Sequence, residues 1–280
     1  MHWQTARFTI DLARPKVMGI VNATPDSFSD GGLYASTVAA VKHCEALLLE
    51  GADILDIGGE SSRPGSPPVP LDEERARVMP VLREAVQLGV PVSIDTYKPE
   101  LMREALDLGV DIVNDIWALR RPGALEAVAA HPHCGVCLMH MHGEPRTMHR
   151  SPLEGDAVPQ VAAFLAAISK SLAEAGVARE RVMWDPGIGF GKTVEQNFAL
   201  LARQHELLAA GYPVLAGWSR KSSLGATTGQ PVNDRLAASI AAAVLSVDRG
   251  ARVVRVHDVK ETVAALKVWR AAKSQEWQEP

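Results

Sequence analysis

Asn22, Asp56, Asp95, Asn114, Asp185, Lys221 and Arg255 each stand at or just beyond the end of a short β-branched or aliphatic run. Glu60, Asp115, His140, Ser219 with Arg220, and His257 lie close by in sequence. A single Asp or Asn in such a place often does no more than cap the next helix or close a turn. Capping does not call for Lys or Arg, nor for both signs of charge, so the set as a whole reads as a binding rim. Its cations suit a carboxylate or phosphate, and its carboxylates suit an N–H-rich heterocycle such as an aminopyrimidine edge. Residues 255 and 257 share one face of a strand, so Arg255 and His257 are expected to reach one anionic group. Arg63 sits in a proline-stiffened loop, 58–70, as a further anion contact with a lowered ordering cost. Arg220, Lys221 and Ser222 occupy a strand-to-helix junction, where free backbone N–H groups favour anions.

The elements that carry these residues follow one cadence. Runs at Val17–Val21, Ile54–Ile57, Val90–Ile94, Asp111–Val113, Gly135–Met139, Arg181–Trp184, Pro213–Ala216 and Arg252–Val256 alternate with amphipathic stretches. Nearly continuous apolar runs are what strands buried on both faces of a parallel sheet look like. Between the first two runs, Val38, Val41, Cys44 and Leu48 have helical spacing. Pro99 suits a first helical turn, and Thr193 with Gln196 and Asp258 with Glu261 have capping-box spacing. Gly51, Gly89, Gly109, Gly176, Gly211 and Gly250 mark helix ends. Eight strand–helix units close a (β/α)8 TIM barrel with its active face at the strand C-termini. An open doubly wound sheet is the alternative. Residues 1–15 should form a hairpin over the barrel floor, 16–272 the barrel and 273–280 a tail, in one domain. The loops 23–36 and 58–70 are longer than usual for α/β units and read as binding loops.

Composition narrows the class. The 280 residues are 47% apolar with a net charge of −4, which excludes disorder and nucleic-acid binding through bulk charge. The longest apolar run, 237–247, is too short to span a bilayer, and the N-terminus lacks a secretion signal. Cys44, Cys134 and Cys137 make no disulfide framework, so a cytoplasmic protein is expected. Two motifs mislead. In Gly187-Ile-Gly-Phe-Gly-Lys-Thr, Pro186 stands where a phosphate loop needs glycine, and Asp185 repels phosphate. Along 131–142, alternation turns Cys137 and Met139 to one side and Leu138 and His140 to the other, so zinc ligands do not converge.

Taken together, Val17-Met-Gly-Ile-Val-Asn-Ala-Thr-Pro-Asp-Ser-Phe-Ser-Asp-Gly-Gly and Asp56-Ile-Gly-Gly-Glu-Ser-Ser-Arg-Pro-Gly resemble the two signatures of the dihydropteroate synthase family. Ser93-Ile-Asp-Thr, Val113-Asn-Asp-Ile, Leu138-Met-His-Met, Asp185-Pro-Gly-Ile-Gly-Phe-Gly-Lys, Ser219-Arg-Lys-Ser and Arg255-Val-His-Asp-Val extend the resemblance from about residue 17 to 272. It implies a TIM barrel, usually dimeric, that condenses 6-hydroxymethyl-7,8-dihydropterin pyrophosphate with p-aminobenzoate in folate synthesis. It further implies that Asn22 ligates Mg2+ at the pyrophosphate and that Asp95, Asn114, Asp185, Lys221 and Arg255 hold the pterin beside Met139 and Phe190. Ser62, Arg63, Arg255 and His257 would hold pyrophosphate. Phe28, Ser62, Pro64, Phe190, Lys221 and Ser222 would form the aminobenzoate site that sulfonamides occupy. Asp95, Arg63, Lys221, Arg255 and His257 are the expected catalytic set. Ser62 stands where threonine is common, Tyr97 where a small residue is frequent and Trp117 where arginine often occurs. A pterin-binding methyltransferase and a non-catalytic pterin-binding protein are the rival readings.

Overall fold

The computed structural model describes residues 1–24, 32–148 except 62–64, and 150–274. Strands β1 (His2–Gln4) and β2 (Thr9–Asp11) pair antiparallel, with Trp3 opposite Ile10. Eight parallel strands follow: β3 (Lys16–Asn22), β4 (Ile54–Gly58), β5 (Val92–Asp95), β6 (Ile112–Asp115), β7 (Gly135–Met139), β8 (Val182–Asp185), β9 (Leu215–Ala216) and β10 (Val253–Val256). Their spatial order is β8-β7-β6-β5-β4-β3-β10-β9, and a parallel bridge from Trp184 to Val214 joins the two edges. The Trp184 amide donates to the Pro213 carbonyl at 2.9 Å across this seam. All eight expected runs are strands, closed into a barrel as expected rather than opened as a doubly wound sheet. The third run begins at Val92, two residues late, and Arg181 ends a short 3-10 turn, Arg179–Arg181, instead of starting β8.

The strand period of two explains the interior. Met18, Ile54, Ile112, Cys137, Met183, Leu215 and Val253 point inward and form a floor with Trp3, Ile10 and Leu12 of the hairpin. Outward-facing neighbours, among them Leu55, Ile57, Ile94, Val113, Leu138, Trp184 and Val254, pack beneath the helices. Two residues beyond the floor, the inward positions become Asp56, Asn114, Met139, Asp185, Gly217 and Arg255. The same alternation that fills the bottom of the barrel therefore arms its mouth.

The helices that surround the sheet are α1 (Gly32–Leu49), α2 (Leu71–Ala85), α3 (Pro99–Leu108), α4 (Ala124–Ala130), α5 (Ala157–Glu174), α6 (Val194–Ala202), α7 (Gln204–Leu208), α8 (Ser222–Thr228), α9 (Leu236–Asp248) and α10 (Val259–Ser274). Thr193 and Gln196 form the expected capping box at α6, and Pro99 begins α3. The six expected stop glycines all have positive φ; at Gly109, φ is 102°, a region costly for a residue with a Cβ. Cys44 is buried in α1 with Ala40 and Leu47, and Val41 and Leu48 pack against the same core as the helical spacing implies, while Val38 is 39% exposed. The Asp258 carboxylate accepts from Arg220 at 2.6 Å, joining the segments that follow the neighbouring strands β9 and β10.

Trp3 is fully buried in the floor, and its indole N–H donates to the Arg181 carbonyl at 2.9 Å. Replacing it with alanine leaves a large cavity and an unpaired carbonyl. Urea unfolding of Trp3→Ala is expected to show a loss of about 3–5 kcal/mol; a loss below about 1 kcal/mol would mean that the hairpin does not seal the barrel.

Candidate active site

Arg255 organises the mouth. Reaching inward from β10, its Nε donates to Asp56 Oδ2 on β4 at 2.6 Å, and its Nη2 to Asp95 Oδ2 on β5 at 2.7 Å. Asn114 Nδ2 on β6 donates to the same Asp56 oxygen at 3.2 Å. One guanidinium thus links three strands, while its Nη1 has no hydrogen-bond partner among the described residues. Across the barrel, Asp185 Oδ1 accepts from the Gly187 amide at 2.7 Å. The Lys221 ammonium stands 4.3 Å from the centre of the Phe190 ring. Met139, Ile116, Met141, Met148 and Phe190 form an apolar wall, against which Tyr97 and Trp117 pack.

Charges of both signs meet here. Among the described residues, Asp56 and Asp95 face Arg255, while Asp185 feels Lys221, Arg255 and the buried Lys192. Burial pushes Asp95 up to about 7, outweighing the pull of Arg255, and the Asp56 charge adds to the rise. Burial also raises Asp185, against the Gly187 hydrogen bond and Lys221. It lowers Lys221 to about 8, although Asp185 opposes the fall. Burial alone would lower Arg255, but Asp56 and Asp95 hold it above its ordinary value. Asp56 Oδ1 and Ser93 Oγ, on residues paired across β4 and β5, are buried without hydrogen-bond partners among the described residues. A pocket lined by carboxylates with a spare acceptor oxygen suits a planar ligand rich in N–H donors.

Asp95, Asn114, Met139, Asp185, Phe190, Lys221 and Arg255 converge. Asn22 ends β3 beside them, half-buried and in register with Gly58. Ser222 opens α8, exposed. His257 Nδ1 lies 2.9 Å from Ser219 Oγ, while Arg255 turns to the carboxylates of Asp56 and Asp95. Phe28, Ser62, Arg63 and Pro64 lie outside the described residues. Of the wider rim, Asp115 accepts from the Trp117 and Leu119 amides, each at 2.7 Å, and so shapes its own loop. The His140 ring packs edge-on against Phe164 of α5, and burial lowers it to about 3. Glu60 accepts from Lys98 and the Tyr97 hydroxyl, and Arg220 pairs with Asp258. Sequence reasoning did not find that Asp56 shares Arg255 with Asp95. The signal was present in three inward carboxylates set against two inward cations. Lys192, taken there as part of a misleading phosphate-loop pattern, is buried beneath the 187–191 turn.

Removal of Arg255 leaves Asp56 and Asp95 facing one another without a cation. Arg255→Met should cost about 3–5 kcal/mol at pH 8. Asp95 binds its proton more tightly folded than unfolded, so stability rises as pH falls from 7 towards 4. Chemical denaturation of the variant should therefore show partial recovery at pH 5; a deficit equal at both pH values would contradict this arrangement.

Comparison with known proteins agrees with the geometry. Residues 18–257 match the family described as Pterin binding enzyme. The chain is 52% identical over 275 residues to the dihydropteroate synthase of Neisseria meningitidis serogroup B, covering 96% of each chain. The structure of Burkholderia cenocepacia dihydropteroate synthase complexed with 7,8-dihydropteroate is 50% identical, with a TM-score of 0.90 over 98% of this chain and 97% of that one. That of the Xanthomonas albilineans enzyme with 4-aminobenzoic acid is 47% identical, with a TM-score of 0.91 over 98% and 99%. With this barrel, this mouth and relatives of this identity over nearly its whole length, the chain belongs to the dihydropteroate synthase family of pterin-binding transferases.

Proposed function

We propose that this protein condenses (7,8-dihydropterin-6-yl)methyl diphosphate with 4-aminobenzoate, giving 7,8-dihydropteroate and diphosphate for folate synthesis. The observation that carries this reading is the meeting of Asp95, Asn114, Asp185, Lys221 and Arg255 around one apolar wall at the barrel mouth. Asp185 and Asp95 accept the N–H donors of the pterin, Asn114 and Lys221 fix its orientation, and Met139 and Phe190 cover its faces. Near the reacting methylene, Arg255 Nη1 and His257 receive the diphosphate, with Arg63 and Ser62 assigned to the same group by the family resemblance. The methylene C–O bond breaks with its electron pair leaving on diphosphate, and the neutral aromatic amine forms the new C–N bond, releasing a proton to solvent. Asp95 stabilises the positive charge that develops on the pterin methylene in this largely dissociative substitution. By the family resemblance, Phe28, Ser62, Pro64, Phe190, Lys221 and Ser222 are assigned to the aminobenzoate, whose place sulfonamides would share.

Mg2+ prefers hard oxygen donors and keeps several waters, so a site of one protein oxygen plus diphosphate oxygens suits it. The Asn22 amide, half-exposed at the end of β3, offers such an oxygen. When bound there, the ion would neutralise charge on the leaving diphosphate. The reading includes a homodimer working in the cytoplasm, which rests on the family resemblance; no described helix is long and apolar enough to cross a membrane.

A coupled assay of diphosphate release, run with both substrates and with or without Mg2+, tests the activity. Release should require both substrates; pterin binding without release would favour a non-catalytic binder. Lys221→Ala should lower turnover by about 10²- to 10³-fold, by analogy with the loss of one preorganised donor at a reacting centre. Near-normal turnover would remove Lys221 from the site.

A further inference from the structure

Lys192 is 8% exposed, yet no carboxylate among the described residues forms an ion pair with it. Its ammonium donates instead to three backbone carbonyls: His140 at 3.2 Å, Gly187 at 2.8 Å and Phe190 at 3.1 Å. The first belongs to the loop after β7 and the other two to the turn after β8. A buried ammonium is costly unless its donors are filled, and here the three acceptors match its three N–H bonds. The turn it holds has little freedom to settle elsewhere. A Cβ on Gly187 would lie 1.8 Å from the His140 carbonyl oxygen, and one on Gly191 would lie 2.2 Å from that of His142. The His140 amide donates to the Asp185 carbonyl at 3.0 Å, which stitches the same two segments together from the other side.

We propose that Lys192 is a positioning residue, an internal clamp whose three carbonyl contacts set the 185–191 turn and so present Asp185 and Phe190 to the pterin. The proposal rests on the pterin-site reading above and deepens it. Asp185 is aimed by the Gly187 amide, and Gly187 is held through its own carbonyl by Lys192. Phe190 is fixed through its carbonyl two residues before the clamp, and its ring is the face on which Lys221 rests. The far end of the turn is tied separately. The Gly189 amide donates to Asn197 Oδ1 at 2.9 Å, and Asn197 Nδ2 donates to Ser223 Oγ at 3.0 Å, next to the start of α8. The hydrogen bonds of Lys192 go to the turn and to His140, whereas those of Arg255 go to Asp56 and Asp95 on other strands.

The test compares Lys192→Met, which removes charge and donors, with Lys192→Arg, which keeps both, and with Lys192→Gln, which keeps two donors. In steady-state kinetics, Lys192→Met is expected to raise KM for the dihydropterin diphosphate about 10- to 100-fold, the loss typical of a charged hydrogen-bonding group. Its kcat should stay within about 3-fold of the parent, because the diphosphate contacts are untouched. Lys192→Arg should recover most of the affinity and Lys192→Gln part of it. Calorimetric binding of 6-hydroxymethylpterin reads the same effect without turnover, so absence of synthase activity in the parent chain would overturn the function and not this assignment. If Lys192→Met does not fold, Lys192→Gln against Lys192→Arg carries the comparison. Pterin affinity within 2-fold of the parent, or equal losses in kcat and both KM values with no recovery by arginine, would overturn it.

Discussion

One guanidinium shared between the buried carboxylate of Asp56 and the half-buried one of Asp95 is the constraint on which this site depends. Arg255 reaches from β10 to Asp56 on β4 and Asp95 on β5, and Asn114 on β6 adds a donor to the same Asp56 oxygen. Removing the guanidinium would leave two carboxylates without their cation in a region screened from water. The arrangement therefore fixes the relative positions of strands far apart in sequence while keeping carboxylate oxygens in the mouth, where a ligand that brings N–H donors can meet them.

The barrel makes this economical because one alternation serves two purposes. On β10, Val253 fills the floor and Arg255 arms the mouth; on β8, Met183 and Asp185 do the same, and on β6, Ile112 and Asn114. A strand out of register by one residue would turn its site residue outward under a helix. The hairpin beneath, through Trp3, Ile10 and Leu12, closes the end that carries no site. Fold stability and site geometry are thus set by the same inward-facing positions, two residues apart.

Much of this was legible before any coordinates. The eight runs announced themselves because strands buried on both faces are nearly continuous in Val, Ile and Leu, and the polar residue ending each marked the catalytic face. Boundaries at Val92 and Val182 were less legible, since Val90 and Arg181 resemble strand residues but sit before the first ladder pair. Side-chain direction at strand ends was harder still. Asp115 and His140 follow Asn114 and Met139 by one residue, and that single step turns them to their own loop and to Phe164. The pairing of Arg255 with Asp56 spans 199 positions, and no local pattern encodes it. Lys192 was hidden for a different reason: its partners are backbone carbonyls, which leave no trace in side-chain sequence.

Proton counting during ligand binding tests the central claim most directly. With Asp95 raised to about 7 in the free protein, a pterin that donates N–H bonds to it stabilises the ionised form and expels its proton. Titration of 6-hydroxymethylpterin at pH 7 in buffers of different ionisation enthalpy should show net proton release. Binding with no proton release anywhere between pH 6 and 8 would contradict the placing of Asp95 against the pterin N–H donors.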